Sequence, residues 1–199
     1  MKIIIVGATG TIGKHVVKAL EKDHEIVSVG SKSGDFQMNL NDPESIKAFY
    51  EKVGKFDAVI CVSGDGHFGP LTKMTDADFR VSVNSKLMGQ VNLVLIGQHY
   101  INPKGSFTLT SGSLGDDPIV LGASLSSVNA GINGFVRGAA IELENGVRIN
   151  AVAPDVVEES PNYFPFFPGH KPVSMEKVTR AYIKSSLGAQ TGQVYKVAE

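Results

Sequence analysis

Lys2-Ile3-Ile4-Ile5-Val6-Gly7-Ala8-Thr9-Gly10-Thr11-Ile12-Gly13 decides how the rest of the chain is read. Lys2 to Val6 is apolar without alternation and ends in glycine, the pattern of a strand buried on both faces. A helix from about Ile12 to Lys22 follows, so the stretch reads as strand, glycine-rich turn and helix. Glycines at 7, 10 and 13 permit a tight turn, close approach of a phosphate and close packing of helix on strand. Backbone amides and the positive end of the helix suit a pyrophosphate there. Gly7, Thr9, Gly10, Thr11, Ile12 and Gly13 are therefore candidate dinucleotide-binding residues, against the alternative of an ordinary strand-to-helix turn. A Walker A loop is excluded, because Gly13-Lys14 is followed by His15 and the residue five before Gly13 is Ala8.

Working outward, Glu25–Val29, Phe36–Leu40, Ala58–Val62, Ser106–Thr110, Val147–Val152 and Gln193–Val197 read as further strands. Helical patterns separate most of them, which predicts a doubly wound parallel α/β sheet of about seven strands in three layers. Pro43–Lys52 follows an Asp42 cap, Val81–Tyr100 repeats apolar residues at helical spacing, and Val128 to Leu143 forms another helical stripe. Between Val29 and Phe36 there is no room for a covering helix, so either that helix is missing or one strand is very short. Pro154 to Pro172 carries five prolines and the aromatics Tyr163, Phe164, Phe166 and Phe167. It reads as an irregular lid or interface segment within a single domain spanning 1–199.

Composition narrows the function. The 199 residues carry 19 basic and 20 acidic side chains, a formal net charge of −1. That balance lacks the electrostatic footprint of a nucleic-acid binder. No apolar run approaches the roughly 20 residues of a bilayer helix, and the N-terminal run lacks a signal-peptide cleavage pattern. One cysteine, Cys61, excludes an internal disulfide and fits a reducing cytoplasm. His, Cys, Asp and Glu nowhere take metal-ligand spacing. Ser126 and Ser127 have no placed histidine base, so a hydrolase triad has no support.

The second strand ends in Gly30-Ser31-Lys32-Ser33, where an acidic residue would select NAD through the ribose hydroxyls. Hydroxyls and an ammonium suit a 2′-phosphate, so NADP(H) is expected over NAD, with Asp35 the nearest opposing carboxylate.

These features together resemble the short-chain dehydrogenase/reductase family along nearly the whole chain. The resemblance rests on Gly7-x-x-Gly10-x-x-Gly13, Val62-Ser63-Gly64, Asn84 in a long helix, and Gly105-Ser106 leading to Ser111. It continues through Gly134-Phe135-Val136-Arg137-Gly138, Arg148-Ile149-Asn150-Ala151-Val152-Ala153-Pro154 and Thr191-Gly192-Gln193. The resemblance implies a Rossmann-type sheet, with nicotinamide near Ser111 and Pro154, adenine near Asn39 and Leu40, and ribose near Ser63 and Gly64. It also implies pairing of copies through the long helices, as a dimer or tetramer.

The family's chemistry uses a tyrosine as proton donor and a lysine four residues later. Here those positions hold Leu125 and Asn129. Leucine has no proton to give, and asparagine bonds ribose hydroxyls without supplying a charge. Ser111 and Asn84 remain as candidate catalytic residues, with Ser113 beside Ser111. His67 and Tyr163 are possible replacement acids. The usual Pro-Gly is Pro154-Asp155. The expectation is an NADP(H)-dependent oxidoreductase acting on a small carbonyl, alcohol or quinone through a changed proton relay. A catalytically silent NADP(H) sensor or regulatory subunit is the alternative, and a protein-docking module built on the aromatic segment is a third reading.

Overall fold

The computed structural model of residues 1–199 contains one seven-stranded, fully parallel sheet in the order β3-β2-β1-β4-β5-β6-β7. Its strands are β1 (Lys2–Val6), β2 (Glu25–Gly30), β3 (Phe36–Gln37), β4 (Phe56–Cys61), β5 (Ile101–Thr110), β6 (Arg148–Pro154) and β7 (Val194–Val197). Helices α1 (Gly13–Leu20) and α6 (Met175–Leu187) cover one face. The other face is covered by α2 (Pro43–Val53), α4 (Gly89–Gly97) and α5 (Ala123–Ala139). Within β1, Ile4 and Val6 join the core under α2, α4 and α5, while Ile3 and Ile5 join the core under α1 and α6. Alternate residues bury into opposite layers, which is why the strand is apolar without a break. The expected three-layer doubly wound sheet is the observed one.

Three local expectations are corrected. The strand expected over Phe36–Leu40 ends at Gln37, whereas the connection from β2 to β3 carries no helix, as its length predicts. Asp35 instead closes that connection by accepting from Ser28 N at 2.9 Å and Ser28 Oγ at 2.7 Å. The helix expected over Val81–Tyr100 begins earlier, as α3 (Asp76–Ser82), because Thr75 forms a capping box with Asp78. It then passes through a π-helical segment, Val83–Met88, before α4. Finally, β5 begins at Ile101, five residues before the expected start, with a register shift against β4 between Phe56 and Ala58.

Parallel strands place every carboxyl end on one edge of the sheet, where ligands bind in open α/β folds. There the residues after β1, β2, β4, β5 and β6 come together.

Candidate cofactor and active site

At the end of β1 the turn folds back on itself, with Gly10 N donating to the Gly7 carbonyl at 3.0 Å. Gly13 is buried, and a Cβ added there would lie 2.0 Å from Gly7 O. Only glycine lets α1 start this close to β1. The cap position of α1, Ile12, has no side-chain hydrogen bond, and the amides of Thr11 and Ile12 have no partner in the chain. Free amides at a helix start beside small and hydroxyl side chains fit a dinucleotide's pyrophosphate. Thr9 Oγ1 lies 3.0 Å from Ser33 Oγ, so the turn and the loop after β2 are joined. Ser31, Lys32 and Ser33 are all exposed there. Asp35 is held back by Ser28, and its carboxyl sits below the usual carboxylate range because of those hydrogen bonds.

Beyond β3, Asn39 is exposed, with Oδ1 accepting from Asn41 N. Leu40 is a core residue packed on Gly89, so at that position its side chain is not offered to a ligand. Ser63 lies against the glycine turn, since a Cβ on Gly7 would come within 3.0 Å of Ser63 Cβ. Gly64 (φ +136°) lets the backbone of Lys86 approach, its own added Cβ falling 2.9 Å from Lys86 Cα.

Above the carboxyl ends of β5 and β6 lies a cleft of about 330 Å³. Ile12 from the glycine turn, Lys86, Ser111, Leu125, Asn129 and Pro154 all line it. Buried Gln90 fixes its floor, accepting from Thr110 N at 2.7 Å and donating to Thr110 O at 2.9 Å. Thr110 Oγ1 in turn bonds Cys61 O and Tyr182 Oη. Ser111 Oγ and Asn129 Oδ1 are buried and unpartnered. Leaving such groups unmade costs about 1–3 kcal/mol each, so both are poised for a ligand atom.

The 154–172 segment forms one wall. It is held by a bridge between Val157 and Val173, by the edge-to-face pair Phe68–Phe166 at 4.9 Å, and by His170 Nδ1 on Asp155 Oδ2 at 2.7 Å. Asp155, in place of the expected glycine, also accepts from Ser113 Oγ at 3.0 Å. Glu158 accepts from Met175 N, and Glu159 reaches across to Lys14 and His15 beside the glycine turn.

The structure does not bring all the expected residues together. Asn84 is exposed and lines a different depression with Asn41, Asp65, Arg80 and Asn92. Residues two apart on a helix do not share a face, and it is Lys86, not Asn84, that enters the cleft. His67 lies outside the cleft too, held by its backbone to Ser82 and Ser124. Tyr163 lines the cleft from an exposed position on the wall.

A family model described as enoyl-(acyl carrier protein) reductase matches residues 3–190. The chain belongs to the short-chain dehydrogenase/reductase family. It is similar to the crystal structure of the protein lin1944 from Listeria innocua, with 48% identity, a TM-score of 0.97 and 99% of each chain covered. A small-chain dehydrogenase in complex with NADPH has the same fold at 22% identity and a TM-score of 0.90, with 100% of this chain and 96% of that one covered. Hydroxynaphthalene reductase arp2 of Aspergillus fumigatus is 26% identical over 183 residues, covering 87% of this chain and 67% of that protein. The chain spans about two thirds of the length of the first curated relatives it matches.

Leu125 and Asn129, expected at the family's tyrosine and lysine positions, both line the cleft. Leu125 packs on Gly66, where an added Cβ would fall 2.2 Å from a leucine methyl. Asn129 lies under Gly112, whose added Cβ would fall 2.8 Å from Asn129 Nδ2. The cleft's ammonium comes instead from Lys86, whose Nζ donates to the Thr110 carbonyl at 3.4 Å. Burial pushes that ammonium down to about 8. No helix in the structure is long and apolar enough to cross a membrane.

Proposed function

We propose that the chain is an NADP(H)-dependent oxidoreductase that reduces a small carbonyl or quinone, or oxidises the corresponding alcohol. The observation that carries this reading is the continuity of the cleft. One cavity runs from Ile12 at the glycine turn to Ser111, Asn129 and Pro154. Bound along the sheet edge, the cofactor supplies or accepts a hydride. The free amides of Thr11 and Ile12 hold its pyrophosphate, and Lys32 with Ser31 and Ser33 holds the 2′-phosphate. Asn39, Ser63 and Gly64 flank the adenosine half, and Asn129 takes the nicotinamide ribose hydroxyls. Ser111 Oγ orients the substrate oxygen. Structures of relatives bound to NADPH support the choice of cofactor. The walls of the cleft, including Phe68, Ile119, Leu125, Val156 and Phe167, favour a compact apolar substrate.

The same reading places the protein in the cytoplasm, which suits the free, buried Cys61. It also makes the protein a homo-oligomer paired through α4 and α5. Half-exposed Leu95 lies there in a depression with Val94, Phe135, Ala139 and Leu143. Light scattering on the purified protein tests this, a mass of one chain overturning it.

The deciding experiment titrates purified protein with NADPH and NADH, following nicotinamide fluorescence, and then adds a β-keto ester, an aryl aldehyde and an ortho-quinone. NADPH binding about tenfold tighter than NADH, roughly 1.4 kcal/mol, followed by turnover of one of the three, is the expected result. Failure to bind either nucleotide at millimolar concentration overturns the reading, and tight binding without turnover supports a sensor instead.

A further inference from the structure

We infer that Lys86, carried on the π-helical segment, donates the proton to the substrate's carbonyl oxygen in place of the tyrosine that Leu125 replaces, an assignment that rests on the oxidoreductase reading above.

Geometry isolates Lys86 as the donor. It lines the same cavity as Ser111, Leu125 and Asn129, and its Nζ reaches the carbonyl of Thr110, the residue before Ser111. Close approach is built into the backbone, because Gly64 lies against Lys86 Cα and any side chain there would push the π-helical segment outward. Lys86 O is also bonded by buried Gln90, which anchors the same strand end. The lysine, its helix turn and the serine are therefore fixed to one another. π-helical insertions of this kind are often found at functional positions.

The groups facing Lys86 leave it unneutralised. From β4 comes Cys61, a thiol that burial pushes up to about 11 and so keeps neutral. Behind the end of β5 stands Tyr182 of α6, whose phenol is raised by burial and bonded to Thr110 Oγ1. Leu125 and Asn129 of α5 carry no charge. Asp155, at the start of the wall segment, is the carboxylate lining the cleft, and it already accepts from Ser113, Val156 N and His170. Tyr163 on that wall is more than half exposed. An ammonium lowered by burial to about 8 is an effective acid near neutral pH.

In the reductive direction, the carbonyl carbon gains a hydride from NADPH, which is oxidised to NADP⁺. The C=O π pair moves to oxygen, the Nζ–H bond breaks and an O–H bond forms. The neutral amine then takes a proton from water at the open cleft, and alcohol oxidation runs the same steps backwards.

The test combines labelling with kinetics on the full chain. Acylation of wild-type protein by an N-hydroxysuccinimide ester at a series of pH values, read by peptide mass spectrometry, is expected to give Lys86 a reactivity midpoint near 8. The ordinary lysine value of about 10.4 is the reference against which that midpoint is judged. Lys86→Met and Lys86→Arg should both bind NADPH within about threefold of wild type while losing at least 100-fold in kcat for carbonyl reduction. In wild type, kcat/KM should fall above about pH 8, where the acid is spent. A Lys86→Arg variant that recovers kcat would show that charge alone suffices and overturns the proton-donor role, as would an ordinary labelling midpoint. NADPH binding by wild type with no turnover of the three carbonyl probes overturns it also. Failure of wild type to bind NADPH at all marks failure of the underlying oxidoreductase reading.

Discussion

Asp155 Oδ2 lies 2.7 Å from His170 Nδ1, and the two residues bracket the wall of the cleft from its first turn to its last. Asp155 directly follows β6, so this contact ties an irregular segment to the sheet. Donating to Asp155 raises the His170 pKa above its ordinary 6.5, with smaller contributions from the charges of Asp155 and Asp117. A histidine raised on folding stabilises the fold fully below its unfolded value, and that contribution is lost as pH rises through the higher folded value. Neutral His170 can still donate from Nδ1, but the ion pair is gone. Urea denaturation at about pH 6 and about pH 9 should therefore show wild type ahead of His170→Gln at the lower pH, with the gap shrinking at the higher. A gap independent of pH would refute this. Asp155→Ala, which strands three donors at once, should cost about 1–3 kcal/mol at both pH values.

The same substitution at two glycines should act with opposite sign. Gly13→Ala puts a Cβ 2.0 Å from Gly7 O and 2.9 Å from the Ala8 backbone, and neither backbone can yield without moving α1 off β1. A destabilisation of about 1–3 kcal/mol is expected, together with loss of NADPH binding. Gly134 lies exposed inside α5, with nothing within 4 Å of an added Cβ. Gly134→Ala should stabilise the protein by about 0.5–1 kcal/mol through helix propensity and a less disordered unfolded chain. Thermal melts of the two variants check both directions, and a loss of stability at Gly134 would contradict the open space seen there.

Glu159 presents its carboxylate to Lys14 Nζ at 2.6 Å and His15 Nε2 at 2.7 Å, beside the start of α1. Lys14 and His15 lie in the first turn of α1, next to the amides assigned to the pyrophosphate, so the carboxylate competes with an anionic ligand for them. Glu159→Gln should tighten NADPH binding a few-fold and leave stability nearly unchanged, as expected of exposed ion pairs. Parallel NADPH titrations of the variant and wild type decide it, weaker binding in the variant being the opposing result.

The sheet was legible because burial on both faces leaves a mark in the sequence. Ile3 to Val6 must be apolar at every position, since odd and even residues serve different layers. The glycine turn was legible for a related reason, as no other residue fits Gly13. What escaped was the facing of the long helical stretch. Val91, Leu93, Val94, Leu95 and Ile96 surround α4 with apolar side chains, so periodicity could not tell which side was buried. Asn84 fell on the outward stripe with Val81 and Met88, while Lys86 turned inward. The one usable signal was spacing, because Lys86 lies four before buried Gln90 and four after buried Ser82. The start at Asp76 was missed because the first turn of α3 is polar, and only the Thr75 cap marks it. Asp155 and His170 were beyond reach, since their pairing depends on how a proline-rich segment folds back.

On the proposed reading, Lys32 is the residue that tells NADPH from NADH. It is exposed, its carbonyl accepts from Gln37 Nε2 at 3.3 Å, and its side chain has no partner within the chain. Neighbouring Ser33 is joined to Thr9, which holds the loop beside the glycine turn. The nearest carboxylate, Asp35, is turned onto Ser28 and does not oppose an incoming phosphate. Lys32→Glu replaces an attraction for the 2′-phosphate with a repulsion. NADPH binding should weaken by at least about tenfold, roughly 1.4 kcal/mol, while NADH, which lacks that phosphate, should change by less than about threefold. The NADPH effect should also shrink at high salt, because the interaction is exposed and screened. Fluorescence titrations with both cofactors at two salt concentrations measure this. Equal losses for the two would mean that Lys32 supports the loop rather than reading the phosphate.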